Sequence, residues 1–170
     1  MKIYAASLTD YNNGYLHGEW IDLEDVADVA ALQGRIAAML RASKFPGCEE
    51  WAIHDYEGPR SCQLGEYPDL DALMFQQKML EKHGDAWAAY MDITDAADAS
   101  EEDFGDRYSG CFKSEEAWAD DFVESTGMLE SVPENLRYYF DMAAFARDAE
   151  MSGDVDFARG DEGVHVFNTA

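Results

Sequence analysis

An α+β fold is predicted by three observations. The chain opens on a β-rich run, continues through a succession of apolar residues at helical spacing, and closes on a second β-rich run around residue 165. Residues 2–8 alternate in strand fashion. Asn13-Gly14 supplies the positive φ angles of a tight hairpin, so residues 15–20 are expected to return as a second strand. Asp22 is suited to cap a helix, with Glu24 and Asp25 in its first turn and Val26, Val29, Leu32, Ile36, Met39 and Leu40 forming its apolar face. Pro46-Gly47 ends that connection, and residues 51–56 read as a third strand. From Asp69 the texture turns helical: Leu70, Leu73, Met74, Gln77 and Leu80 recur at helical spacing up to a stop at Gly84. A further helix is expected over 85–93, carrying Trp87, Tyr90 and Met91.

Residues 95–106 are acid-rich and expected to be irregular or only briefly helical, and 108–113 suits a short strand. Ser114 caps a helix running to about residue 125. The longest helical pattern covers 134–150, after Pro133 and up to Gly153; within it Arg137 is placed to pair with Glu134 and Asp141, three and four residues away. Residues 164–167 read as a final strand.

Composition narrows the function. The 170 residues hold 36 Asp and Glu against 12 Lys and Arg, a formal charge of -24. Direct binding to nucleic acid is thereby disfavoured, because affinity for a phosphate backbone comes from Lys and Arg displacing counterions. An anionic membrane surface would repel the same charge. With 47% hydrophobic and 13% aromatic residues, the chain has the apolar area to form a core despite its acidity. Three widely spaced cysteines (Cys48, Cys62, Cys111), none in a CxxC pair, argue against a disulfide framework and for a cytoplasmic setting. No signal peptide is read in residues 1–7, and no apolar run approaches the ~20 residues of a membrane span.

The acid is spread along the chain. Residues 1–61 hold 10 acids and 5 bases, 62–104 hold 11 and 2, and 105–170 hold 15 and 5. Asp22, Glu24 and Asp25 have a structural use at a helix N-terminus, worth roughly 0.3–1 kcal/mol apiece. Others do not. Glu116, Asp120 and Glu124 fall at successive i,i+4 positions, with Glu115 and Asp121 beside them and Trp118 and Phe122 marking the opposite, buried face. Like-charge pairs at that spacing cost a few tenths of a kcal/mol each. Asp92, Asp95, Asp98, Glu101, Glu102 and Asp103 form a second run read as unpaired. A solvated face explains either row taken alone; the alternative is that these carboxylates imitate phosphates. Duplex DNA carries one charge per ~1.7 Å of axis, so the excess acid matches on the order of 40 Å of duplex, and a twofold dimer about twice that.

Enzymatic and metal readings are weak. His54-Asp55 lies in an expected strand near Cys48, but neighbouring strand residues point to opposite faces, so a Cys-His-Asp site would not assemble. His17, His54, His83 and His165 lack zinc-ligand spacing, the Asp92/Asp95/Asp98 run lacks the calcium-loop pattern, and neither GxGxxG nor GxxxxGK occurs. No catalytic residue, metal or cofactor is expected.

Several segments resemble the ArdA-type antirestriction proteins of plasmids, phages and conjugative transposons. They are residues 3–14 (IYAASLTDYNNG), 17–22 (HGEWID), 49–58 (EEWAIHDYEG), 108–112 (YSGCF), 139–141 (YFD), 144–148 (AFARD) and 152–154 (SGD), in the family's order over nearly the whole chain. The resemblance implies a non-enzymatic mimic of bent DNA that occupies the DNA-binding groove of type I restriction–modification enzymes, meaning the methyltransferase core with its specificity subunit. It implies block of restriction and, as in many members of the family, of modification. It also implies an elongated homodimer of three-domain subunits: 1–61, a sheet with one helix; 62–103, helical; and 104–170, α+β with acidic helices and the dimer contact. The family's antirestriction motif falls on 124–139. The expected DNA-mimic surface is Asp92, Asp95, Asp98, Glu101, Glu102, Asp103, Glu115, Glu116, Asp120, Asp121, Glu124 and Glu130. The segments 10–14 and 51–58 are assigned to fold rather than to target contact. The alternative reading is a non-enzymatic acidic adaptor for another basic DNA-binding protein.

Overall fold

The computed structural model describes residues 1–59, 65–95 and 98–169; Cys62 and the domain boundary expected at 61/62 lie outside the described residues. The fold is α+β, with helices and two three-stranded antiparallel sheets. The chain divides into two units, Met1–Lys82 and His83–Ala170.

In the first unit, β1 (Lys2–Ser7) lies between β2 (Gly18–Asp22) and β3 (Trp51–Glu57). Pairing of Ile3 with Ile21 and Tyr4 with Trp20 sends alternate side chains to opposite faces. Ile3, Ala5, Ile21 and Ile53 meet Leu32, Ile36, Met39 and Leu40 of α2 (Val29–Arg41), and Leu73 of α3 (Leu70–His83) joins that core. A bulge between Tyr4 and Ala5 shifts the β1–β3 register.

Two expectations fail here. β1 and β2 are antiparallel partners, but no tight hairpin joins them: α1 (Leu8–Asn12) intervenes. Ser7 caps α1, and the buried Asp10 accepts the Ser7 hydroxyl at 2.7 Å and the Ser43 hydroxyl at 2.6 Å. Burial alone would raise the Asp10 carboxyl; the Ser43 and Ser7 hydroxyls and the nearby His17 bring it below its ordinary value. Asp22 does cap a helix, but only the single 3-10 turn Leu23–Asp25. The long α2 starts afresh at Asp28, whose Oδ1 accepts the Ala31 amide at 2.7 Å.

In the second unit, β6 (Val164–Asn168) is central, between β4 (Tyr108–Phe112) and β5 (Val155–Arg159). Alternation along β6 serves two layers. Val166 joins the core under α6 (Glu115–Thr126) and α8 (Met142–Ser152), where Trp118 stacks on Phe145 and meets Phe157 edge-on. Phe167, on the other face, touches Tyr90 of α4 (Asp85–Ile93) and Phe104 of α5 (Glu101–Arg107). Arg107 ties α5 to the sheet, donating to Asp156 Oδ2 at 2.7 Å and to the Asn168 carbonyl at 3.0 Å.

The helix expected over 134–150 is broken. A short α7 (Glu134–Arg137) ends before Asp141, which caps α8 by accepting the Ala144 amide at 2.9 Å. Arg137 pairs with neither expected carboxylate; its guanidinium donates to the carbonyls of Val132 at 2.9 Å and Glu130 at 3.0 Å. Gly153 closes α8 in the left-handed conformation, and β5, absent from the sequence reading, follows it.

Candidate functional site

All twelve expected surface carboxylates lie in the second unit, which holds 22 acids against 5 bases, a formal -17 of the chain's -24. On α6 the apolar stripe of Trp118, Ala119 and Val123 is buried, so Glu116, Asp120, Asp121 and Glu124 face outward and are exposed. Glu115 sits closer in, with Arg159 of β5 at 3.7 Å. At ~1.5 Å rise per residue, the five span about 14 Å of helix axis, near one charge per 3 Å. A single strand of duplex DNA has one per ~3.4 Å. The helix therefore presents charge at the linear density of a nucleic-acid strand.

Stability does not account for that row. Ser114 already caps the N-terminus through the Ala117 amide, and Glu115 and Glu116 suit the first turn. Glu124 does not: it lies near the C-terminal end, where the helix dipole favours cations and α6 has no basic residue. Asp92 repeats the pattern near the end of α4. Glu130 is exposed just beyond α6, beside Gly127, the left-handed residue that ends the helix.

The second row is not unpaired, contrary to expectation. Asp92, Asp95, Asp98, Glu102 and Asp103 are exposed. Yet Asp103 accepts the buried Tyr90 hydroxyl at 2.6 Å and has Arg107 at 3.5 Å, while Glu101 lies 3.3 Å from the His83 ring. The acid-rich stretch is ordered by α5, capped at Ser100 through the Asp103 amide. Those contacts exist because α5 folds its acids back onto α4, which spacing alone does not reveal.

A polar network around the buried His165 supports this unit. Asp85, the first residue of α4, accepts the amides of Asp161 at 3.0 Å and Glu162 at 2.9 Å, and His165 Nε2 lies 2.9 Å from it. His165 Nδ1 meets the Tyr108 hydroxyl at 3.0 Å. Burial alone would raise the Asp85 carboxyl, but the Glu162 and Asp161 amides and His165 hold it below its ordinary value. Gly160 is required in the turn that wraps this carboxylate, since a Cβ there would overlap Asp85. Sequence reasoning missed Asp85: its partners lie 76–80 residues away and no local pattern marks it.

The Cys-His-Asp arrangement does not form. The Cys48 thiol donates to Ser43 Oγ at 3.1 Å and to the Phe45 carbonyl at 3.2 Å, whereas His54 packs on Tyr11. Desolvation, then the carboxylates of Glu162 and Asp85, push the Cys111 thiol up and away from the reactive thiolate. Among the described residues no cluster of His, Cys, Asp and Glu is arranged to hold a metal ion, and no helix is long and apolar enough to cross a membrane.

The chain belongs to the ArdA antirestriction protein family, whose model matches residues 3–164. Its function at that level is antirestriction, and the family is one of inhibitors rather than a known enzyme family. Restriction–modification enzymes are the partners that such a function points to. No individual curated protein matches the chain.

Proposed function

We propose that this protein inhibits type I restriction–modification enzymes by mimicking DNA, catalysing nothing itself. The observation that carries this reading is the α6 row: carboxylates at strand-like linear density along the exposed face of the helix, continued by Glu124 into the C-terminal end, where it opposes the dipole. The exposed carboxylates of 92–103 add to the same field. In this account the acids occupy the basic DNA groove of the methyltransferase core and specificity subunit. Release of small ions from both surfaces drives association at low salt, and both restriction and modification stop because both need that groove. The subunit of this reading has three domains (1–61, 62–103, 104–170), works in the cytoplasm, and pairs as a homodimer through its C-terminal domain. Leu136, Tyr138 and Tyr139, exposed by 51%, 88% and 78%, support such a contact there.

Gel competition tests the reading: the purified protein against duplex DNA for a type I methyltransferase core, across a salt series. Mutual displacement that weakens as salt rises is expected. A stable ternary species of enzyme, DNA and protein would overturn it in favour of an acidic adaptor that binds beside the DNA.

A further inference from the structure

The first unit carries a surface to which neither acid row contributes. Two clefts of about 680 and 300 Å³ adjoin along β3, sharing Leu8 and Tyr67 in their walls. Tyr11 and Tyr67 are 57% and 67% exposed, and Tyr11 packs edge-on against His54 with ring centroids 4.8 Å apart. Asp55 and Glu66 line the larger cleft, and Glu49 and Glu50 the smaller; among the described residues no Lys or Arg lines either. The Glu66 carbonyl accepts the Ile53 amide at 2.9 Å, which holds the backbone of residue 66 beside the strand.

Two exposed tyrosine rings lining adjoining clefts form a contiguous aromatic surface of the kind that partner contacts use. A tyrosine face beside a carboxylate offers two interactions that a guanidinium satisfies at once: its plane stacks on the ring while its forked donors reach the carboxylate. An ammonium group has no plane to stack. An extended segment projects every second side chain to the same side, so adjoining clefts suit two side chains of one strand. We propose that these clefts bind an arginine-bearing extended segment of a basic protein partner, with guanidinium groups stacked on Tyr11 or Tyr67 and paired to Asp55 or Glu66. The proposal goes beyond the DNA-mimic reading and stands even if the acid rows prove inert.

The probe is a capped nine-residue peptide of alternating Ser and Arg, with its Lys counterpart, titrated into the full-length protein at ~0.15 M salt, where exposed charges more than about 8 Å apart are largely screened. Tyr11, His54 and Tyr67 ring signals should shift in NMR spectra, and the Arg peptide should bind at least about fivefold tighter than the Lys peptide. Y11A/Y67A should weaken binding about tenfold, with D55N/E66Q comparable, while D120N/D121N/E124Q should change it less than about twofold. The D55N/E66Q pair supplies the readout should the tyrosine variant fail to fold. Equal binding of the two peptides, shifts mapping to α6, or self-association that moves the same tyrosine signals without peptide would each overturn the proposal. Peptide binding and DNA competition are separate readouts, so failure of one leaves the other intact.

Discussion

His165 Nε2 lies 2.9 Å from Asp85 Oδ2 across 80 positions of sequence, and the same carboxylate receives the amides of Asp161 and Glu162. His165 is 1% exposed, so water cannot replace Asp85 as its partner. Asp85→Ala should therefore cost about 1–3 kcal/mol, chiefly from the buried His165 left without its partner, since water can reach the Asp161 and Glu162 amides. Urea unfolding followed at Trp87, which lies in the same helix, measures it.

The pH dependence of that effect has a defined sign. The folded-state Asp85 carboxyl is held below its ordinary value, so its contribution is complete above the unfolded pKa of about 3.9 and is lost as pH falls through the folded value. Asp85→Asn removes this contribution at every pH. The stability gap between wild type and Asp85→Asn should be widest near neutrality and narrow steadily below pH ~4. A gap unchanged down to pH ~2 would show that the carboxylate is not the linked group. The comparison between variants is needed because acid also relieves the self-repulsion of the whole -24 chain.

Arg107 holds three elements with one side chain, 18% exposed, reaching Asp103, Asp156 and the Asn168 carbonyl. Arg107→Lys keeps the charge but not the fork, and should lose about 1–2 kcal/mol; Arg107→Ala should lose more. Hydrogen exchange localises the loss: α5 amides should open first while those of α8 remain protected.

Asp141→Ala removes the cap of α8 and should cost about 1 kcal/mol, a fall in melting temperature of roughly 4–8 °C for a unit of this size. Asp141→Asn or Asp141→Ser should restore most of it, which a merely electrostatic role would not allow.

For the acid rows the expected pattern is gradual. A single change such as Asp120→Asn should leave inhibition within about threefold, Asp120→Asn/Asp121→Asn/Glu124→Gln should weaken it modestly, and neutralising all twelve carboxylates should abolish it. The triple variant should also be more stable than wild type by a few tenths of a kcal/mol, because like charges one turn apart are relieved. Loss of all activity from one exposed carboxylate would contradict charge mimicry.

Much of the fold is legible because its signals are local. Alternation in residues 2–7, the helical spacing of Leu70 and Leu73, the bounds of α4 and the Ser114 cap all depend on neighbours within a turn or a strand. The failures come from distant partners. Asn13-Gly14 signals a hairpin, but Ser43, 33 residues on from Asp10, helps fix a helical turn before it. Arg137 has carboxylates at pairing distance in sequence, yet Asp141 is committed to the α8 cap. The α6 row was readable since its buried face is marked by Trp118. The pairing of Asp103 with Tyr90 was not, because it depends on how α5 packs against α4. β5 carried a usable signal in Val155 and Phe157 flanking Asp156 after the Gly153 stop.

The central place of β6 in the second sheet has a consequence for synthesis. β4 and β5 each pair with β6 alone, and β6 is the last element in order. In the nascent chain β4 and β5 therefore have no strand partner until β6 has emerged. Mutual repulsion among the carboxylates of such an unpaired segment opposes its association with neighbouring chains.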